Sequence, residues 1–231
     1  DDAAVLNLPP GEQLLVTTDL LVEGSHFLRN QIPWSALGHK LMAVNLSDIA
    51  AMGGTPRFAV VNLGIDERVT VTEVEALYRG LQDLAERFET RIVGGDTVYT
   101  PTITLGLTLL GTVPVGSALL RSRAEPGDLL LVTGTLGKAA AGLEILRREV
   151  SVADGIRKQV LEAHYRPWPR VQEGRILSSL GWVNALIDIS DGLASEVGHL
   201  CTQSRVGVEI WWEALPIAPS TRDVARACTS C

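Results

Sequence analysis

Residues 34–64, WSALGHKLMAVNLSDIAAMGGTPRFAVVNLG, decide the reading of the fold. The first part carries apolar residues at helical spacing and runs out at Gly53-Gly54, with Pro56 beyond. Residues 34–52 are therefore predicted as a helix, and FAVVNLG as the strand that follows it. Upstream, QLLVTT (13–18) reads as a strand that stops at Asp19. Downstream, Thr72-Glu-Val-Glu opens a second helix, with Thr72 and Glu75 at capping-box spacing. Its apolar stripe is Val74, Leu77, Leu81, Leu84 and Phe88. RIVGGD (91–96) and residues 102–110 read as two more strands, which completes one block of mixed strands and helices.

A Gly-, Pro- and Ser-rich stretch, 111–127, separates this block from a second. The second restarts with DLLLVTG (128–134) as a strand and a helix over 138–149. A helix near 151–163 is broken by the prolines of HYRPWPR (164–170). A short helix, a strand over 183–189, a helix over 192–203 and the strand VGVEIWW (206–212) follow. The expectation is an α+β protein of two α/β domains, 1–115 and 116–231.

The whole chain has 231 residues, 46% hydrophobic and 20% charged, with a formal net charge of −7. That balance argues against nucleic acid or an anionic membrane as the main partner. Residues 97–120 are uncharged and long enough to cross a bilayer, but their prolines, glycines and period-two alternation describe a half-buried strand and its turn. The cysteines, Cys201, Cys228 and Cys231, form no disulfide framework, which suits a reducing cytoplasm. The C-x-x-C of Cys228 and Cys231 lacks the further ligands of a zinc site and reads as an ordinary tail.

The acidic residues carry more information. Glu73, Glu75, Glu86, Glu144 and Glu149 are explained by solvated helix faces. Asp2, Asp19, Asp48, Asp96, Asp188 and Asp191 are not, because they fall at the ends of apolar elements beside Gly, Ser or Thr. Asp48 lies about 20° around its helix from Leu37, on the inward stripe, and near the helix C-terminus where a negative charge is disfavoured. Each position has a plainer reading: Ser190 or Asp191 as a helix N-cap, Asp19 and Asp96 as turn residues, Asp48 paired with an arginine. As a set, scattered hard oxygen donors without a His-Cys cluster suit Mg²⁺ rather than Zn²⁺, and Mg²⁺ held this way usually accompanies phosphates. TGTLGKAAAG (133–142) does not have Walker spacing, and Ala139 stands where the Ser/Thr would be. Only Lys40, Lys138 and Lys158 supply ammonium groups. Residue chemistry thus reaches Mg²⁺-dependent nucleotide chemistry.

Read in order, DDAAV, TTDLLVEGSHF, KLMAVNLSDIAAMGG, VGGDT, LLRSRAEPGDLLLVTGTLG, HYRPWPR and IDISDGL resemble thiamine-monophosphate kinases, in the superfamily of aminoimidazole ribonucleotide synthetase and selenophosphate synthetase. The resemblance implies ATP-dependent phosphorylation of thiamine monophosphate to thiamine diphosphate, with no side-chain general base. It implies a cytoplasmic homodimer whose N-terminal strands form a shared barrel, and a C-terminal domain shorter here than in the family. By motif, it assigns Asp2, Thr17, Thr18, Asp19, Asp48, Asp96, Asp188 and Asp191 to several Mg²⁺ ions. It assigns Gly95, Asp96, Arg121, Ser190 and Tyr78 to the nucleotide and His26 to the substrate. Two alternatives stay open: another ATP-dependent enzyme of the superfamily, or a Mg-ATP-binding module without turnover. No cysteine precedes Cys201, where a selenophosphate synthetase would need one.

Overall fold

The computed structural model describes residues 3–4, 6–148 and 150–229. Four strands, β1 (Glu12–Val22), β2 (Thr55–Ile65), β3 (Arg91–Tyr99) and β4 (Thr104–Pro114), form one sheet in the order β1-β4-β2-β3. Helix α1 (Trp34–Ala51) joins β1 to β2, and α2 (Val71–Arg87) joins β2 to β3. β4 pairs antiparallel with both β1 and β2, whereas β2 and β3 run parallel, as a strand–helix–strand crossover requires. Five further helices follow: α3 (Lys138–Arg147), α4 (Asp154–Tyr165), α5 (Val171–Ser179), α6 (Leu193–Ser204) and α7 (Pro219–Thr229). The chain divides into two compact units, Asp1–Asp128 with Pro169–Val208, and Leu129–Trp168 with Glu209–Cys231.

In the first unit the period-two pattern of β4 puts Leu105, Leu107, Leu109 and Val113 on one face, all buried, beside Ala59, Val61 and Leu63 of β2. Leu37, Leu41, Met42, Leu46 and Ile49 of α1 and Leu77, Leu81 and Leu84 of α2 complete this core, each side chain contributing about 1.5–3 kcal/mol. The helices cross closely because Gly38 and Gly80 lack side chains. A Cβ on Gly38 would stand 2.0 Å from the Leu77 carbonyl oxygen, and one on Gly80 1.8 Å from that of Ser35. Gly53, at φ +69°, ends α1 where expected, and the Gly54 N–H bonds back to the Ile49 carbonyl at 2.9 Å. The opposite face of the sheet is open, with Leu14, Val16, Leu20 and Val98 exposed.

The second unit is built around Ala141, Ile145, Val150, Val160 and Val224, with Cys228 of α7 packed at its edge. Cys228 is thus part of a packed helix, and Cys231 lies outside the described residues. Three expected strands are not strands: 128–134, 183–189 and 206–212 adopt no ladder among the described residues. An apolar extended run becomes a strand only when a neighbour accepts and donates its backbone bonds, and sequence pattern cannot report the neighbour.

The start of α2 differs as well. The capping box is formed by Thr70 and Glu73, not Thr72 and Glu75. The Glu73 N–H donates to Thr70 Oγ1 at 3.3 Å, and the Thr70 N–H donates to Glu73 Oε2 at 2.8 Å. Tertiary partners select this register. Trp34 Nε1 donates to Glu73 at 2.8 Å, and Arg29 donates to both its oxygens at 3.2 and 3.1 Å. Arg29 also reaches the Arg68 carbonyl at 2.6 Å and lies 5.8 Å from the Trp34 ring centroid. The Thr70 backbone N–H, helped by the Thr70 hydroxyl, Arg29 and Trp34 against burial, holds the Glu73 carboxyl below the usual glutamate range.

Glu73→Gln is therefore expected to lose about 1 kcal/mol at neutral pH. The folded-state pKa is depressed, so this contribution is present above the unfolded glutamate value and is lost as pH falls through the folded one. Denaturant titrations at pH 7 and pH 3 check it: the gap between wild type and variant should close on acidification, and a gap that persists rules out the charge.

Candidate active site

The first unit gathers three of the expected carboxylates. Thr17 and Asp19 share one face of β1, as residues two apart must. Both are half-buried, while Val16, Thr18 and Leu20 point to the open face and are exposed. Thr17 Oγ1 donates to Asp48 Oδ2, which ties β1 to the last turns of α1. One residue earlier on that helix, Ser47 Oγ donates to Asp188 Oδ2 at 2.8 Å, across 141 residues of sequence. Asp19 is not a turn residue, since it pairs with Leu107 inside β1. Nor is Asp48 in an arginine ion pair: among the described residues no Arg or Lys nitrogen lies within 4.0 Å of it.

Each of the three is harder to ionise than an ordinary aspartate. Burial raises the Asp19 pKa first and the charge of Asp188 next, with His26 acting the other way. Burial also leads at Asp48, where Asp19 adds to it and the Thr17 hydrogen bond and Arg121 offset part. At Asp188, burial is joined by Asp48 and Glu196, and opposed by Ser47 and Arg121. Like charges held together in partly buried positions, with one distant arginine for balance, form a site that favours an added cation.

Arg121 sits in the short 3-10 turn Arg121–Arg123, which Ser204 of α6 fastens: Ser204 Oγ donates to the Arg121 carbonyl at 2.7 Å and accepts from the Ala124 N–H at 2.9 Å. His26 is exposed in the loop after β1. There the Val22 N–H donates to His26 Nδ1 at 3.1 Å, and the His26 N–H returns to the Val22 carbonyl at 2.9 Å. With Nδ1 an acceptor, Nε2 carries the proton of the neutral ring and presents a donor to solvent.

The loop 188–192 delivers Asp188, Ser190 and Asp191 to the start of α6. Neither Ser190 nor Asp191 is the helix N-cap. That position is Gly192, at φ +123°, with no side-chain cap, so the capping alternative fails for both residues. Glu196 lies in the first turn of α6 and is only 4% exposed. It accepts from the Asp191 N–H at 3.1 Å and from Ser190 Oγ at 3.3 Å. Sequence reasoning missed this residue, because a capping-box glutamate would stand at Ser195, one position earlier.

Four expected site residues stand apart from this cluster. Thr18 faces the open side of the sheet, 3.1 Å from Thr108 Oγ1. Asp96 lies inside β3, level with Asn62, so it is not a turn residue either. It lines a cleft of about 290 Å³ with Leu20, Asn62 and Val98. β1 and β3 are opposite edges of the sheet, three strand spacings or about 14 Å apart. Beside Asp96, Gly95 admits close approach of β2, since a Cβ there would stand 1.9 Å from the Val61 carbonyl oxygen. Tyr78 is half-buried on α2, where burial pushes its phenol up, and does not act on the three aspartates. Asp2 lies outside the described residues.

Residues 1–113 match the family model described as AIR synthase related protein, N-terminal domain, and residues 125–227 match the corresponding C-terminal domain. The class is therefore that of the two-domain AIR synthase related proteins. A thiamine-monophosphate kinase of Bacillus subtilis (strain 168) is 40% identical over 220 residues, 94% of this chain and 67% of the relative. A crystal structure of the thiamine-monophosphate kinase from Stenotrophomonas maltophilia K279a superposes with a TM-score of 0.90 at 36% identity, covering 99% of this chain and 74% of that one. A structure described as AaThiL complexed with AMPPCP and TMP gives a TM-score of 0.87 at 34% identity, covering 97% and 70%. The chain belongs to the thiamine-monophosphate kinase family and spans about two thirds of the length of its Bacillus relative. Among the described residues no helix is long and apolar enough to cross a membrane.

Proposed function

We propose that this protein transfers the γ-phosphoryl group of ATP to thiamine monophosphate, giving thiamine diphosphate by direct in-line transfer. The observation that carries the reading is the convergence of Asp19, Asp48 and Asp188 around the Thr17 and Ser47 hydrogen bonds, with no Arg or Lys nitrogen within 4.0 Å of them among the described residues. The donor set fits Mg²⁺. Among the described residues no three His, Cys, Asp or Glu side chains close a metal cage by themselves. Magnesium is ordinarily held by one or two carboxylates and completed by substrate phosphates and water, which an open set of this kind allows. When bound, Mg²⁺ would supply positive charge that offsets the repulsion between the two anionic substrates.

The chain's own residues would then do the following. Asp19, Asp48 and Asp188 hold the ions, with Thr17 and Ser47 fixing two of the carboxylates. Asp2 and Asp191 complete the ligand set, Thr18 and Asp96 do not join the three aspartates within one chain, and Gly95, Asp96, Arg121, Ser190 and Tyr78 face the nucleotide. His26 offers its Nε2–H to thiamine monophosphate. The acceptor is a phosphate oxygen, already largely deprotonated at neutral pH, so no side chain need remove a proton.

The exposed apolar face of β1 and β3 supports a homodimer in which two such sheets close a barrel, and would bring Thr18 and Asp96 into a covered surface. The unpaired runs at 128–134 and 206–212, with Leu129, Leu131, Trp211 and Trp212 exposed, support a C-terminal domain that is incomplete here. The family models over residues 1–113 and 125–227 support sequence domains of 1–115 and 116–231, although the compact units interleave the second half. Work in the cytoplasm follows from the cysteine usage and the substrates.

The test is formation of thiamine diphosphate from thiamine monophosphate and Mg-ATP. Mg-ATP binding without product would leave the chain a nucleotide-binding module, and product from another acceptor would favour a different enzyme of the superfamily. His26→Ala should raise the KM for thiamine monophosphate about tenfold, or 1.4 kcal/mol, with little change for ATP. If both constants move together, or neither moves, His26 does not touch the substrate.

A further inference from the structure

Resting on that reading of the site, we infer that Glu196 is a positioning residue that sets the Ser190–Asp191 turn and fixes the polarity of the Ser190 hydroxyl toward the nucleotide. The carboxylate is buried, and the same oxygen, Oε1, receives both the Asp191 N–H and the Ser190 O–H. Among the described residues no Arg or Lys nitrogen is within 4.0 Å of it. A buried, unpaired carboxylate is retained against a desolvation cost, which asks for a role. The local geometry supplies one. Gly192 enters α6 at φ +123° with no side-chain cap, so nothing in the turn itself holds the chain that precedes it. Glu196 holds it from inside the helix, where the N-terminal end of the dipole favours its charge.

The chemical consequence falls on Ser190. A hydroxyl has one proton, and Ser190 gives it to Glu196. Only lone pairs remain to face a ligand, so Ser190 accepts from an N–H or ligates a cation, and does not donate to a phosphate oxygen.

Titration calorimetry with Mg-AMPPCP on the full chain tests this, alongside melting temperature and the KM for thiamine monophosphate. Glu196→Ala should weaken Mg-AMPPCP at least tenfold while the KM for thiamine monophosphate stays within twofold. Glu196→Gln keeps an oxygen that accepts from both donors, and should recover binding to within threefold of wild type. Unchanged affinity in Glu196→Ala overturns the inference, as does a Gln variant as weak as Ala. Should Glu196→Ala fail to fold, Glu196→Asp decides: its shorter side chain should weaken binding at least fivefold, and wild-type affinity would overturn the inference. A wild type that binds Mg-AMPPCP but makes no thiamine diphosphate removes the proposed activity and leaves the Glu196 comparison standing. A wild type that does not bind it overturns both.

Discussion

Asp48→Asn should lower kcat/KM for thiamine monophosphate by at least about 10²-fold, or about 3 kcal/mol of transition-state stabilisation, while the metal-free protein should melt no lower than wild type. The reasons are structural. Asp48 sits near the C-terminal end of α1, where the dipole opposes its charge, and Asp19 adds to the burial that raises its pKa. The amide keeps an oxygen for the Thr17 hydroxyl and removes the repulsion. A raised folded-state pKa means the folded protein holds its proton more tightly than the unfolded chain. Stability of the metal-free wild type therefore falls as pH rises from the ordinary aspartate value through the raised one. Asp48→Asn should show a shallower decline across that window, and Mg²⁺ should raise the melting temperature of wild type more than that of the variant. Full activity in Asp48→Asn would remove Asp48 from the set of metal ligands.

Asp188→Ala should cost as much as Asp48→Asn and also raise the Mg²⁺ concentration for half-maximal activity. Its carboxylate joins the loop before α6 to Ser47 of α1 at 2.8 Å, so its loss removes a tether together with the proposed ligand. Asp191→Ala separates the two roles. Since Gly192 is the N-cap, the substitution should spare the roughly 1 kcal/mol that loss of a capping side chain takes, and shift only the Mg²⁺ dependence. Melting temperature and Mg²⁺ titration on both variants give the answer. An Asp191→Ala variant that loses stability and keeps its Mg²⁺ response has a structural aspartate at that position.

How much of this is legible in the sequence depends on the range of the interaction. Helix α1, its stop at Gly53 and the four strands of the first unit follow from apolar periodicity and a positive-φ glycine, which are local properties. The second half misleads for the converse reason. Runs 128–134, 183–189 and 206–212 have strand composition, but a strand exists only through its partner. The α2 capping box moves by two residues because Arg29 and Trp34 reach Glu73 from 44 and 39 positions away.

The same division runs through the site. Residue types and order alone single out Asp19, Asp48 and Asp188 as carboxylates in the wrong solvent, because charge against apolar pattern is visible one residue at a time. Their ordered motifs alone determine the family. Tertiary structure decides which of them share a face. Thr17 and Asp19 turn toward α1, whereas Thr18 turns to the open side and Asp96 lies on the far edge strand. It also decides that Gly192 leaves α6 uncapped and that Glu196, buried and a turn into the helix, holds Ser190 and Asp191 in place. Hydrogen bonds and burial depend on distances between segments remote in sequence, and those distances exist only once the chain has folded.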